Sequence, residues 1–233
     1  MTGILSVVIL LLVLACAKVK TTQLASLNNK QQVEVQPLSG TFTSIKDSWV
    51  AVLDVTGDKI NVYDIYAQYW LTPARKMSWS PTVARSYSTA EVAAWGDPRD
   101  VRIRQSPWGG AWAAVGGNLA TITIQSTGHR RWALDLGAGT IPDGVELLPD
   151  GNIVVAAKGG NWVRVYNSSQ GTSSTGYAQY NITAPTAVLW DPVNNVIRVT
   201  GSINGTAVLA ALTVGGTSAA PALTEDVSLR STL

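Results

Sequence analysis

The sequence predicts an all-β fold built from about four copies of one small unit, and three observations carry that expectation. Charged residues make up 14% of the 233, well below the roughly 25% of an average soluble domain, with Gly, Ser, Thr, Val and Ala in their place. Short segments alternate two sets of side chains, as in Trp162, Arg164 and Tyr166 against Val163 and Val165, the period of a strand. A stretch of about 43 residues then repeats along the chain.

The repeat is legible at its turns. The Gly-Gly-Asn of AVGGNLATIT (114–123) recurs without a gap in AKGGNWVRVY (157–166), 43 residues on. VTGSINGTAVLAAL (199–212) follows after 42 more, with Ser202 in the place of Gly160. AVLDVTGDKINVYD (51–64) is an earlier copy, with Gly57 in the place of Gly117. The preceding strands repeat too: LLPDGNIVVAA (147–157) aligns with LWDPVNNVIRVT (189–200), Asn152 matching Asn195. Gly and Asn accept positive φ and Pro presets the first corner, so these residues belong at hairpin turns.

Repeats of 40–45 residues with three or four strands each are the pattern of propeller blades. The expected units are 46–68, 99–136, 141–180 and 184–214, within one domain over 46–233. Four blades is the low end for a closed propeller, so the expectation is a small or incomplete ring. Residues 67–97 read as an insertion. Within it Ser88 and Glu91 have capping-box spacing, which predicts a helix from Thr89 to Trp95 ended by Gly96 and Pro98.

The amino terminus points to secretion. Ile4 to Ala17 carries no charge, too short for a spanning helix of about 20 residues but the length of a signal core. Ala15-Cys16-Ala17 offers a cleavage site, so 1–17 reads as a signal peptide and 18–45 as a polar lead. No membrane attachment is expected after its removal. Cys16 is the one cysteine, so the mature chain would have neither disulfides nor a thiol nucleophile. Asn167, Asn181 and Asn204 open Asn-x-Ser/Thr sequons, which fit a glycosylated exoprotein if each lies on an accessible turn.

The segments VELLPDGNIVVAAKGGNWVRVY and VLWDPVNNVIRVTG resemble a family of secreted propeller-like proteins of unknown function from fungi and actinobacteria. KMSWSP and LDVTGDKINVYD are similar to its opening blade, and the resemblance covers about 49–222. It implies a longer parent and a histidine before each of the ELLPDGN and LWDP strands. Here those positions are Asp143 and Thr186, so this chain looks like a shortened member whose family histidines cannot be carried over.

Candidate chemistry is sparse. A net charge of +2 excludes a nucleic-acid surface, and Arg99, Arg102 and Arg104 read as the solvated face of a strand. The single histidine, His129, provides neither a metal site nor a triad, and no GxSxG elbow occurs. Neither a P-loop nor GxGxxG is present, so no nucleotide cofactor is expected. Paired carboxylates from Asp143, Glu146 and Asp191 are the candidates for an extracellular lyase or hydrolase. Nine tryptophans stand against one phenylalanine. Trp79, Trp95, Trp108 and Trp112 lie in or beside the insertion, where an exposed cluster would stack on sugar rings or grip a protein. The expected function is a non-catalytic binding module for a glycan or an extracellular protein, with the enzyme as the alternative.

Overall fold

A computed structural model describes residues 49–233 apart from 65, 67 and 70–74. The signal peptide and polar lead expected at 1–17 and 18–45 lie outside the described residues. Among the described residues, sixteen strands form four antiparallel sheets. The first holds β1 (Trp49–Asp54), β2 (Lys59–Asp64) and β3 (Arg75–Trp79); the second β4 (Pro98–Ser106), β5 (Gly109–Gly116), β6 (Leu119–Ile124) and β7 (Arg130–Asp135). The third holds β8 (Pro142–Leu147), β9 (Ile153–Ala157), β10 (Trp162–Tyr166) and β11 (Tyr177–Asn181). The fourth holds β12 (Thr183–Asp191), β13 (Val196–Ile203), β14 (Thr206–Gly216) and β15 (Pro221–Glu225), with β16 (Ser231–Thr232) also on β14.

Alternation explains why the sheets stack. In β9 and β10, Ile153, Val155, Ala157, Trp162 and Tyr166 enter a core with the second sheet. Val154, Ala156, Val163 and Val165 enter a different core with the fourth. A sheet with two apolar faces must be covered on both, and each fully buried Val, Leu or Ile contributes roughly 1.5–3 kcal/mol. A third core, including Ile60, Val62, Trp79, Trp112 and Leu119, joins the first sheet to the second.

The leading strands β4, β8 and β12 pack side by side. Gly144 makes the closest approach possible: a Cβ there would lie 2.9 Å from Ala187 Cα. This is the radial arrangement of propeller blades, and the four sheets do not close into a ring.

Among the described residues, the first sheet holds three strands, which match the last three of the next sheet. The turn between β1 and β2 lies beside Trp95 and Asp97, through Trp95 Nε1–H to the Asp58 carbonyl and Asp97 N–H to Asp58 Oδ1. The turn between β5 and β6 meets the same connector, where Asn118 N–H donates to the Ala94 carbonyl. Thus β1, β2 and β3 correspond to the second, third and fourth strands of the next sheet.

Two boundaries differ from expectation. β3 lies inside the stretch read as an insertion, which leaves 80–97 as the connector. Its side chains alternate poorly, and only Trp79 is buried. β15 and β16 extend the fourth sheet into the tail; β15 alternates half-buried with exposed residues, and Leu223 packs on the core, but the strand is only five residues long. The helix α1 (Thr89–Ala94) forms as predicted, with both halves of the Ser88–Glu91 capping box in place.

One repeated device escaped the pattern reading. Asp97-Pro98, Ile141-Pro142 and Ala184-Pro185 open β4, β8 and β12, spaced 44 and 43 residues apart. The residue before each proline is left-handed, at φ 42°, 48° and 47°, a conformation that an L-residue adopts only when its neighbours impose it. Asn161 Oδ1 accepts the Ala184 N–H at 2.9 Å, as Asp58 Oδ1 accepts that of Asp97 at 2.7 Å. Each of these two turns therefore holds the entry to the following sheet.

Candidate functional site

The three candidate catalytic carboxylates lie on or beside leading strands, and each is already engaged. Glu146 on β8 is completely buried. Its Oε2 receives Arg104 Nη2 from β4 at 2.7 Å and the Trp190 N–H from β12 at 3.2 Å. Its Oε1 receives the Leu147 N–H at 2.9 Å. One carboxylate thereby ties three sheets together.

Asp143 pairs with Arg99 at 2.9 Å, and Arg99 also pairs with Asp97. Asp100, which the sequence did not single out, accepts the Val145 N–H at 3.0 Å and pairs with Arg102. Burial pushes its carboxyl up from the ordinary value. Of the arginines read as a solvated stripe, Arg99 and Arg104 are thus partners in inter-sheet ion pairs, while Arg102 pairs within its own strand. Their signal was the repeat itself: Arg99–Asp143, Arg104–Glu146 and Asp100–Val145 lie 42–45 residues apart.

Asp191 ends β12 and builds a turn. It accepts from Asn194 Nδ2 and from the N–H groups of Val193 and Asn194, and it pairs with Arg198 at 3.0 Å. These donors, the Asn194 side chain first, lower its pKa to about 2. A folded-state pKa below the unfolded value of about 3.9 stabilises the fold above that value and loses the effect as pH falls toward 2. The stability gap between wild type and Asp191→Asn should therefore shrink between about pH 5 and about pH 2 in urea titrations. A gap constant over that range would remove this role.

The tryptophans part company. Trp79 and Trp112 are buried, at 0% and 1% exposure, which corrects their reading as a sugar-stacking platform: neither has a face left for a ligand. Trp79 contacts Trp112, Trp95 and Tyr87 edge-on, with centroids 5.6, 5.2 and 6.1 Å apart. Its Nε1–H donates to the Gly128 carbonyl at 3.0 Å. Trp95 is half-buried in the same cluster. Trp108 sits apart, in the turn between β4 and β5, beneath the Arg131 guanidinium at 4.5 Å. Apolar bulk filled the space between sheets, which composition alone could not distinguish from a ligand platform.

His129 is exposed, with Nδ1 3.4 Å from Ser86 Oγ. Among the described residues, no cluster of three or more His, Cys, Asp or Glu could hold a metal ion. No described helix is long and apolar enough to cross a membrane.

An open groove of about 420 Å³ lies between the third and fourth sheets. The turn between β9 and β10 supplies Asn161; the end of β11, the link and the start of β12 supply Asn181, Ile182 and Thr183; the end of β13 and its turn supply Ser202, Ile203 and Asn204. Asn204 and Gly205 both have positive φ, 51° and 79°, the two-residue type I′ hairpin that Asn-Gly favours. No lining residue is charged. Amides and hydroxyls over an isoleucine floor can hydrogen-bond a neutral polar ligand and pack its apolar face. The sequence marked two of these residues only as sequons.

No family model matches the chain, and no curated protein matches it. Among solved structures it is similar to a protein from Lactobacillus plantarum, at 15% identity and a TM-score of 0.48, over 77% of this chain and 53% of that one. The chain thus spans about half the length of that protein. It is also similar to KlHsv2 with loop 6CD replaced by a Gly-Ser linker, at 8% identity and a TM-score of 0.31, over 80% of this chain and 82% of that one.

Proposed function

We propose that this chain is a secreted, non-catalytic binding module whose ligand, a neutral glycan or an uncharged segment of an extracellular protein, occupies the groove between the third and fourth sheets. The observation that carries the reading is the engagement of Asp143, Glu146 and Asp191 in ion pairs and turns. A general acid or base must reach a substrate proton at hydrogen-bond distance, and each of these carboxylates is held by an arginine of the fold. The groove supplies recognition without charge.

The test is a glycan array probed with unglycosylated chain and with Ser202→Phe, which fills the groove. Binding to neutral oligosaccharides, intact afterwards and weakened at least about tenfold in the variant, is expected, a change of about 1.4 kcal/mol. Cleavage of a bound oligosaccharide would move the chain to the lyases or hydrolases. Equal binding by Ser202→Phe would move the ligand elsewhere.

A further inference from the structure

We infer that the groove is a cradle for the chain's own N-glycans: Asn181 and Asn204 are the acceptors, Asn167 is not, and the attached sugar closes the groove to outside ligands. This rests on the reading above, because it concerns the regulation of the same groove.

The three sequons are equivalent in sequence and unequal in the fold. Asn167 is half-buried, and its Nδ2 donates to the Ala219 carbonyl at 3.1 Å. A Cβ at Gly176 would lie 2.8 Å from that nitrogen. The third residue of the sequon, Ser169, donates its hydroxyl to Asn152 Oδ1 at 2.8 Å. A sugar on Asn167 would break its bond to Ala219 and force apart the links that follow β10 and β14.

Asn204 is exposed at the corner of its type I′ turn, and Asn181 is exposed at the end of β11. It is Oδ1 of Asn181, not Nδ2, that takes the bond from Gln179. Thr183 and Thr206, the third residues of these sequons, are exposed as well. Both acceptors line the groove. Its contents suit an N-acetylhexosamine: Ser202 and Thr183 offer hydroxyls to the acetamido and ring hydroxyl groups, and Ile203 offers an apolar surface to the sugar face. In the transfer itself, Nδ2 bonds to the anomeric carbon of a lipid-pyrophosphate-linked oligosaccharide. The lipid pyrophosphate leaves with its electron pair, and an amide proton passes to the transferase's base.

The experiment expresses residues 18–233 behind a secretory leader in a eukaryotic host and maps the glycopeptides. Hydrogen exchange at 181–184 and 202–206 is then compared with the Thr183→Ala/Thr206→Ala double variant, and the same two chains made without glycosylation calibrate the substitutions. Expected are glycans at Asn181 and Asn204, an unmodified Asn167, and groove amides exchanging about tenfold faster once the sugars are absent. A glycan at Asn167, an empty Asn181 or Asn204, or unchanged exchange would overturn the inference. The array with unglycosylated chain is independent: a chain that carries both glycans in the groove yet binds no oligosaccharide loses the binding function and keeps the cradle.

Discussion

Replacing Glu146 with Gln should destabilise the fold by about 1.5–3 kcal/mol, the scale of a hydrogen bond to a charged group, because the Arg104 guanidinium left behind is partly exposed to water. The carboxylate receives three donors, from Arg104, Trp190 and Leu147, and is fully buried. A carboxamide keeps the volume but has one acceptor oxygen, and its NH₂ would face donors. For a domain of this size, that loss lowers Tm by roughly 3–12 °C. Arg104→Met combined with Glu146→Leu should recover only part of it. That pair removes both charges and leaves the Leu147 and Trp190 N–H groups without an acceptor. A Glu146→Gln chain within about 1 kcal/mol of wild type in urea would mean that the three-sheet strut contributes little. The same substitution tests the function: a catalytic Glu146 predicts lost turnover with intact folding, and a strut predicts the reverse.

Trp79→Ala is the second large effect, expected at about 4–5 kcal/mol, the upper part of the range for truncating a buried aromatic. The indole is wholly buried among Trp95, Trp112 and Tyr87, and its N–H satisfies the Gly128 carbonyl. Truncation leaves both a cavity between the first two sheets and an unpaired acceptor. Trp79→Phe separates the two terms: it keeps most of the packing, loses the hydrogen bond, and should cost about 1–3 kcal/mol. Thermal unfolding with near-ultraviolet circular dichroism reads both. Wild-type stability in Trp79→Ala would return this tryptophan to the list of candidate ligand contacts.

Much of the architecture was legible because it depends on local chemistry. Gly117, Asn161 and the Asn204-Gly205 pair stand where hairpins need positive φ, and they recur at the repeat period. The alternation of Trp162, Arg164 and Tyr166 with Val163 and Val165 predicted a strand, and both of its faces are covered. The capping box named the helix because both of its hydrogen bonds span three residues. β3 and β15 were not legible: each is five residues long, β3 buries one side chain, and β15 carries one large apolar residue, Leu223.

The sites were less legible. Asp143, Glu146 and Asp191 had equal standing in the sequence, as did the four tryptophans and the three sequons. What separates them is the partner brought up by the neighbouring sheet. Arg104 turns Glu146 into a strut, Ala219 engages Asn167, and Trp112 closes over Trp79.

By itself the sequence determined the strand period, the turns and the repeat, because residues within a few positions of one another set those preferences. Only the tertiary structure decided which carboxylates are spent, which indoles are buried and which asparagines face a groove. Apart from Asp191, whose partners lie within seven residues of it, those outcomes depend on groups 33 to 52 residues away, brought up when one sheet stacks on the next, and no local preference encodes which side chain will meet them.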